Sequence, residues 1–434
     1  MLLQKGGRKV NTTVKIKQWL HKNEHRGIKL LQQLVQENSV RENESSAQAV
    51  IIEKCRKLGL ELDIWEIGSD ELKEHQAFYC DRKDFSGTPN VVAVKKGSGG
   101  GKSIILNGHI DVVPEGNEKD WIHHPYSAVV ENGKLYGRGS TDMKGGTVAL
   151  LLAMEAISSV GVQLKGDIIF QSVIEEESGG AGTLAAILRG YKADGAIIPE
   201  PTNMKIFPKQ QGSMWFRITV KGKSAHGGTR YEGVNAIEKS ILVMNALNRL
   251  EKMRNDQITD PLYKNIPIPI PINIGKITSG QWPSSVPDLA WIEGRIGVAP
   301  HEKMEDAAVQ LETCLKELAD VDPWFKEFPA EVEWFGARWQ PGNLETNHEL
   351  IQTVAKAYKK VKGIEPVIEA SPWGTDGGLL ANVGNTPVVV IGPGVTAAAH
   401  DVNEYIELKE VFTAAEVIAE AIMNWCEIRD EQGD

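Results

Sequence analysis

Residues 103–109 read SIILNGH, a short apolar run that ends on a histidine. Similar apolar runs precede and follow it, and helical segments separate several of them. Strands that alternate with helices are typical of βαβ units and a mostly parallel sheet. The pattern predicts strands at 90–94, 103–106, 167–174 and 193–198, with helices at 145–160 and 182–189. This part of the chain is therefore expected to form an α/β fold with a mixed, mostly parallel sheet flanked by helices.

The pattern changes after Gln211. Residues 213–220 alternate between apolar and polar side chains, as a half-exposed antiparallel strand does. A helix, two strands, a second helix and a last strand are then predicted at 235–253, around 274, at 290–298, 302–318 and 331–335. This β-α-β-β-α-β order is the ferredoxin-like split pattern. We therefore expect a catalytic domain of residues 1–211 and 337–434, with an α+β domain of residues 212–336 inserted into it.

Composition excludes several classes of partner. The 434 residues carry 48 basic and 58 acidic side chains, a net charge of −10, which argues against a general nucleic-acid partner. No uninterrupted apolar segment reaches the roughly 18 residues of a membrane-spanning helix, so no membrane partner is expected. The N-terminus lacks the apolar region of a signal peptide. Since four scattered cysteines fit a reducing compartment, the expected location is cytoplasmic.

Histidine and acidic residues recur where a predicted strand gives way to a turn or loop. Each has an ordinary explanation on its own, such as a satisfied loop histidine, a helix N-cap or a solvated charge run. Ligands of α/β sheets bind at the carboxyl ends of the strands, so the recurrence predicts one shared site. The motifs are GHIDVVP with His109 and Asp111, YGRGSTDMKGG with Asp142, EEES at 175–178, EPT with Glu200, and HDVNE with His400.

Two histidines and three carboxylates predict a metal centre. Such a donor set suits zinc, cobalt or manganese, and five ligands with one shared carboxylate suit two ions about 3.5–4 Å apart. Two divalent ions would bring four positive charges, which three carboxylates and a bridging hydroxide would balance. Asp111 is close enough in sequence to accept a hydrogen bond from the second ring nitrogen of a metal-bound His109. The predicted ligands are His109, Asp142, Glu177, Glu200 and His400.

These motifs, in this order, resemble the aminoacylase / acetylornithine deacetylase / succinyl-diaminopimelate desuccinylase / carboxypeptidase G family of metallohydrolases, over residues 30–420. The resemblance implies that His109 and Glu200 hold one metal, that Glu177 and His400 hold the other, and that Asp142 bridges them. It also implies a cis peptide bond after Asp142. Counting back from Gly182-Thr183 selects Glu176 as the general base, although the triple acid leaves Glu175 as an alternative.

The resemblance further implies that the inserted domain is a lid and a dimerisation domain. His226 would enter the active site of the partner in a homodimer and hydrogen-bond the oxyanion. Arg295 would bind a substrate carboxylate, since a guanidinium suits that geometry. The other substrate-binding residues implied are Gly374, Thr375 and Gly392, together with Ser284, which stands where many relatives have asparagine.

The expected activity is metal-dependent hydrolysis of the amide in a small N-acylated amino acid or amine. The expected cofactors are two divalent ions, zinc by preference and otherwise cobalt or manganese. An acetylornithine deacetylase-like substrate is the first choice. Alternatives are deformylation of a formylaminopyrimidine and hydrolysis of a dipeptide or N-acyl amino acid. A different kind of protein, an inactive binding protein without metal, is a further alternative. Such a protein would be expected to lack metal ligands, whereas all five are present.

Overall fold

The computed structural model describes residues 2–68 and 72–429, and side chains from residue 12 onward. The helices are α1 (Leu2–Lys22), α2 (Glu24–Gln36), α3 (Ser45–Lys57), α4 (Gly145–Ser159), α5 (Ala181–Leu188), α6 (Ala236–Asp256), α7 (Met304–Lys316), α8 (Leu318–Val321), α9 (Trp324–Glu327), α10 (Glu349–Lys362), α11 (Gly377–Asn382) and α12 (Leu408–Trp425). The strands are β1 (Glu61–Glu66), β2 (Pro89–Lys95), β3 (Ile104–His109), β4 (Val129–Glu131), β5 (Lys134–Tyr136), β6 (Ile168–Val173), β7 (Ala196–Ile198), β8 (Ile206–Gln210), β9 (Gly212–Lys221), β10 (Ala225–His226), β11 (Ile272–Ser279), β12 (Ser285–Val286), β13 (Leu289–Val298), β14 (Glu331–Trp339), β15 (Gly342–Asn343), β16 (Ile368–Ser371), β17 (Val388–Val390) and β18 (Tyr405–Glu407).

A large mixed sheet runs in the order β1-β2-β6-β3-β7-β17-β8-β15, with β16 paired to β8. Its four central strands, β6, β3, β7 and β17, are parallel to one another. Every residue of β3, β6, β7 and β17 is buried, as expected for parallel strands covered on both faces. The prediction of a mixed sheet flanked by helices is confirmed, and its parallel pairing lies in these central strands and between β16 and β8.

The helix α4 shows why this layer is buried. Its sequence, GGTVALLLAMEAISS, is apolar on every side, and residues 145–157 are all buried. A helix that is apolar all round belongs inside the protein rather than on its surface. It packs against α2, α12 and β3, whereas α3 and α5 pack against β2. The peptide bond between Asp142 and Met143, just before α4, is cis, as the resemblance implies.

A second sheet runs in the order β11-β13-β9-β14, and all of its pairs are antiparallel. It has a hydrophobic core of its own, where α6 and α7 pack on alternate residues of the strands such as Phe216, Ile218 and Ile292. The predicted split order of strands and helices is observed. The last strand continues to Trp339, beyond the predicted end at residue 335, because a bulge between Phe335 and Arg338 lets its pairing with β9 resume.

Two smaller sheets complete the fold. One has the strand order β18-β5-β4, and the other is the short ribbon of β10 and β12. Within residues 2–68 and 72–429, no helix is both long and apolar enough to cross a membrane.

Candidate metal centre

The central strands bring four of the predicted motifs to one edge of the large sheet. His109 is the last residue of β3, and Glu200 lies two residues after the end of β7. Glu176 and Glu177 lie just after β6, and His400 lies in the loop after β17. Because these four strands are parallel, their carboxyl ends point the same way and the side chains meet.

Asp142 joins two groups of side chains at this edge. Its Oδ1 lies 3.2 Å from Nε2 of His109, and its Oδ2 lies 3.4 Å from Nε2 of His400. Glu200 Oε1 is 3.8 Å from the same nitrogen of His109. Glu177 Oε1 is 3.1 Å from the same nitrogen of His400. The carboxylate of Asp142 therefore has one oxygen toward each histidine, the arrangement that a bridging ligand needs.

Burial and charge shape the pKa values of this centre. Burial opposes charge on both His109 and Asp142, yet their hydrogen bond raises the pKa of the histidine and lowers that of the carboxyl. The Glu177 carboxylate raises the pKa of His400 to about 11. Burial raises the pKa of both Glu176 and Glu200 well above the usual range. The centre thus holds more carboxylate than its two histidines balance.

The donor set fits divalent cations. His109, Glu176 and Glu200 each place one ligand atom within 4.8 Å of the others, and so do His109, Asp142 and Glu177. These atoms are imidazole nitrogens and carboxylate oxygens, which suit zinc, cobalt and manganese. Excess buried carboxylate charge is costly unless it is paired or binds a metal.

Asp111 differs from its predicted geometry. The Nδ1 of His109 is 2.8 Å from the backbone carbonyl oxygen of Asp111 and 3.7 Å from its carboxylate. The carboxylate instead accepts hydrogen bonds from the backbone N–H groups of Glu176 and Glu177, at 3.3 and 3.1 Å. His109 is thus held by the main-chain oxygen of Asp111 and not by the predicted carboxylate, because that carboxylate is hydrogen-bonded to the 176–177 backbone. Burial raises the pKa of the Asp111 carboxyl to about 8.

The three adjacent acids have different surroundings. Glu175 adopts a left-handed conformation with φ of 64° and is completely buried. Its carboxylate accepts hydrogen bonds from Arg82 at 2.7 Å and from Arg41 at 3.0 Å, and Arg82 also binds Glu44 at 2.9 Å. These bonds hold Glu175 away from the potential metal ligands, whereas Glu176 lies among them. We call these ligands the donor cluster; its members are His109, Asp142, Glu176, Glu177, Glu200 and His400. Glu175 and Glu176 are therefore buried, and the acidic run is not a solvent-exposed run of charges.

Replacing Arg82 should destabilise this loop strongly. In Arg82→Met, the buried Glu44 carboxylate loses its guanidinium, and removal of one partner from a buried ion pair typically costs about 3–5 kcal/mol. We expect a large drop in the urea midpoint of unfolding. Arg217→Met is the matched control, because Arg217 forms a more exposed pair with Glu293, and such pairs contribute about 0–1 kcal/mol. Equal midpoints for the two variants would contradict the importance of the buried pair.

His226 and Ser284 lie close to each other. His226 ends β10, is exposed, and pairs with Ser285 of β12, which directly follows Ser284. Its Nδ1 accepts a hydrogen bond from the backbone N–H of Gly228 at 3.1 Å. The N–H of Gly227 donates to the carbonyl oxygen of Ser284 at 2.7 Å. The predicted oxyanion donor, His226, and the predicted substrate-binding residue, Ser284, therefore lie side by side at the small ribbon of β10 and β12.

Arg295 is a half-buried cation, and two of its nitrogen atoms are buried donors. It lies on β13 opposite Trp215 of β9. Among the described residues, its buried Nε and Nη2 atoms have no hydrogen-bond partner. Burial lowers the pKa of its guanidinium. A buried donor without a partner costs free energy of desolvation, so a bound acceptor at these atoms would be stabilising.

The predicted pocket loops are closely packed. A Cβ on Gly392 would lie 2.2 Å from the carbonyl oxygen of Pro199, so only glycine lets this loop approach the segment that carries Glu200. A Cβ on Gly374 would lie 2.8 Å from Trp339. The hydroxyl of Thr375 donates to Gln210 at 2.6 Å. These three positions have packing roles of their own, whatever their contact with substrate.

Sequence reasoning does not identify three further residues around the centre. The indole N–H of Trp339, at the end of β14, donates to the carbonyl oxygen of Glu176 at 3.1 Å. Asp376 is buried and accepts a hydrogen bond from Thr183 at 2.6 Å, and burial raises its pKa to about 6. Glu404 accepts a hydrogen bond from the backbone N–H of Asp142. Glu404 and Asp376 do have a sequence signal, since Glu404 lies in the HDVNE motif and Asp376 directly follows the predicted pocket residue Thr375.

Comparison with known proteins identifies one family and several relatives. The model of peptidase family M20/M25/M40 matches residues 105–424. N-formyl-4-amino-5-aminomethyl-2-methylpyrimidine deformylase of Halalkalibacterium halodurans is 33% identical over 89% of this chain and 90% of its own length. Succinyl-diaminopimelate desuccinylase of Alkalilimnicola ehrlichii is 26% identical over 90% and 96%. The di-peptidase Dug1p from Saccharomyces cerevisiae has a similar fold, with a TM-score of 0.76, 14% identity and coverage of 96% and 99%.

Proposed function

This chain belongs to peptidase family M20/M25/M40, and from that premise we propose that it removes the formyl group from an N-formylated aminopyrimidine. Membership of the family confirms the prediction of a hydrolase that acts on amide bonds. The observation that carries the substrate is the 33% identity to a deformylase of this kind, over nearly the full length of both chains. The sequence alone favours an acetylornithine deacetylase-like activity and leaves this substrate as an alternative.

The donor cluster would hold two divalent ions, zinc by preference. When bound, such ions polarise the amide carbonyl and lower the pKa of a water molecule. The proposed ligands are His109 and Glu200 on one side, Glu177 and His400 on the other, and Asp142 between them. The distances of 3.2 and 3.4 Å from Asp142 to the two histidines support this division.

Glu176 is the proposed general base. Its carboxylate lies in the donor cluster, whereas Glu175 is bound to two arginines. Glu176 takes a proton from the attacking water and passes it to the leaving nitrogen, a role worth about 10²–10⁴-fold in rate. The amide C–N bond breaks, and the products are formate and a free primary amine. Asp111 orients this residue through the backbone N–H of Glu176.

We further infer that residues 212–336 form a lid and a dimerisation domain. His226 is exposed on its ribbon, which supports a contact with the active site of a second copy. There it would donate a hydrogen bond to the oxyanion, and such donors typically contribute about 2.7–4 kcal/mol. Homodimerisation and a cytoplasmic location stay predictions.

A second candidate substrate is an N-acylated amino acid, as in acetylornithine. Arg295 favours it, because its buried Nε and Nη2 atoms have no partner and would suit a carboxylate. The formylaminopyrimidine named above carries no carboxylate. Only the N-acylated amino acid would therefore give Arg295 a carboxylate to bind.

A release assay on metal-loaded protein tests the proposal. The formylaminopyrimidine, N-acetylornithine and N-succinyl-diaminopimelate are compared by the free amine that each releases. We expect kcat/KM for the formylaminopyrimidine to exceed the others by about 100-fold, or about 2.7 kcal/mol in transition-state binding. Preference for N-acetylornithine would select the second candidate, and weak, equal activity on all three would contradict both.

The same assay on Arg295→Met tests whether Arg295 binds a substrate carboxylate. A hydrogen bond to a charged group is typically worth about 1.5–3 kcal/mol, so kcat/KM for a carboxylate-bearing substrate should fall about 10- to 100-fold. The formylaminopyrimidine should lose much less. An equal loss on all substrates would contradict a specific carboxylate contact by Arg295.

A further inference from the structure

Glu404 is a buried carboxylate, 1% exposed, whose two oxygens accept four hydrogen bonds. Its Oε1 accepts from the backbone N–H groups of Thr141 at 2.8 Å and Asp142 at 3.1 Å. Its Oε2 accepts from the backbone N–H of Gly139 at 2.9 Å and from Nη1 of Arg138 at 2.8 Å. One side chain from the loop after His400 thus holds the whole turn that presents Asp142.

Arg138 extends this set of bonds to a third segment. Its Nη1 also donates to the carbonyl oxygen of Asp401 at 3.2 Å, and its Nη2 donates to the carbonyl oxygen of Pro114 at 3.3 Å. The Arg138–Glu404 pair therefore connects three separate loops. Asp142 and His400 lie in two of these loops, and His109 is the strand residue from which the third loop starts.

We propose that Arg138 and Glu404 are positioning residues that set the spacing of the metal ligands. This inference rests on the proposed metal centre and concerns neither the substrate nor the base. The geometry demands a carboxylate, because both oxygens must accept. Glutamine has the same shape, but its NH₂ group would face two donors. A glutamine at position 404 would therefore loosen the turn at Gly139 or at Asp142 and shift the Asp142 carboxylate relative to the two histidines.

The competing explanation is that the pair contributes only to stability. A comparable Arg–Glu pair lies beside the second sheet and can serve as a control. Arg254 is buried and donates to Glu302 at 2.6 Å, and Glu302 also accepts a backbone N–H, that of Ala299 at 3.0 Å. Within the part of the chain that the structure describes, the side-chain hydrogen bonds of this second pair go to Gln310, Gly297 and Ala299 and to no residue of the donor cluster. Glu302→Gln therefore measures the loss of a buried Arg–Glu pair without a change at the metal ligands.

The test is the zinc affinity of Glu404→Gln, measured by competition with a fluorescent chelator. Partners that orient metal ligands typically contribute 10- to 100-fold in metal affinity, so we expect a loss of about that size. The absorption spectrum of the cobalt-loaded variant should also change, since it reports ligand geometry. Glu302→Gln should lower the thermal midpoint and leave zinc affinity and the cobalt spectrum as in the unmodified protein.

Wild-type zinc affinity and an unchanged cobalt spectrum in folded Glu404→Gln would overturn the inference. If that variant does not fold, Arg138→Lys is measured in the same way, because lysine keeps the charge but cannot reach both carbonyl oxygens and Glu404 as the guanidinium does. Unchanged affinity there would also overturn it. Unmodified protein that binds two zinc ions but does not release formate would contradict the deformylase proposal and leave this inference standing.

Discussion

Glu176→Gln is expected to lower kcat by about 10²–10⁴-fold on the best substrate, with both metals retained. Glutamine has nearly the shape of glutamate, so the packing of the buried side chain should change little. It cannot accept the proton that the mechanism assigns to this residue. Steady-state kinetics on metal-loaded protein, together with metal content by mass spectrometry, measure the two quantities separately. Near wild-type turnover would contradict Glu176 as the base.

Glu175→Gln is the neighbouring comparison. Its carboxylate is bound by Arg82 and Arg41, so the substitution should lower the stability of the fold. The loss in kcat should be much smaller than in Glu176→Gln, because Glu175 does not reach the donor cluster. A larger loss in Glu175→Gln would reverse the assignment of the two acids.

Asp142→Asn is expected to abolish the binding of both metal ions. Each oxygen of this carboxylate faces a different histidine, at 3.2 and 3.4 Å, so one substitution removes a ligand from both positions. An amide has one oxygen and no charge, and it cannot replace the second anionic contact. Metal content after gel filtration without chelator should fall from about two ions per chain, the number that a dinuclear centre requires, to nearly none.

Glu200→Gln and Glu177→Gln are the matched controls for Asp142→Asn. Each removes one carboxylate from one side of the centre, near His109 in the first case and near His400 in the second. Each variant should therefore keep about one ion. Retention of one ion by Asp142→Asn, with the same affinity as in the two controls, would contradict the bridging role.

Strand and helix patterns predict the fold class and the split order of the second sheet. Apolar runs ending on histidine or acidic residues indicated the parallel core, and the alternation after Gln211 indicated the split α+β pattern. Such signals lie within a few residues of one another, because side-chain periodicity is a local property of helices and strands. For the same reason the end of β14 at Trp339 was not predicted, since it depends on a bulge that pairs with β9.

The meeting of the predicted ligands at one edge of the sheet is also predictable, because each ligand motif is recognised from its place after a strand or turn. Once β3, β6, β7 and β17 are parallel neighbours, residues just beyond their ends must meet at one edge. The local pattern could not say which of the three adjacent acids would face that edge. Nor could it show that the main chain of Asp111, and not its carboxylate, would contact His109.

Those choices depend on contacts between distant parts of the chain. Glu175 is held by Arg82 and Arg41, which lie 93 and 134 positions away in the sequence. Glu404 holds the turn at Asp142 from 262 positions away. A carboxylate takes the direction in which its hydrogen bonds are satisfied, since burying it unpaired is costly. Residue type and spacing therefore predict a metal centre, whereas the role of each acid follows from the donors that folding brings to it.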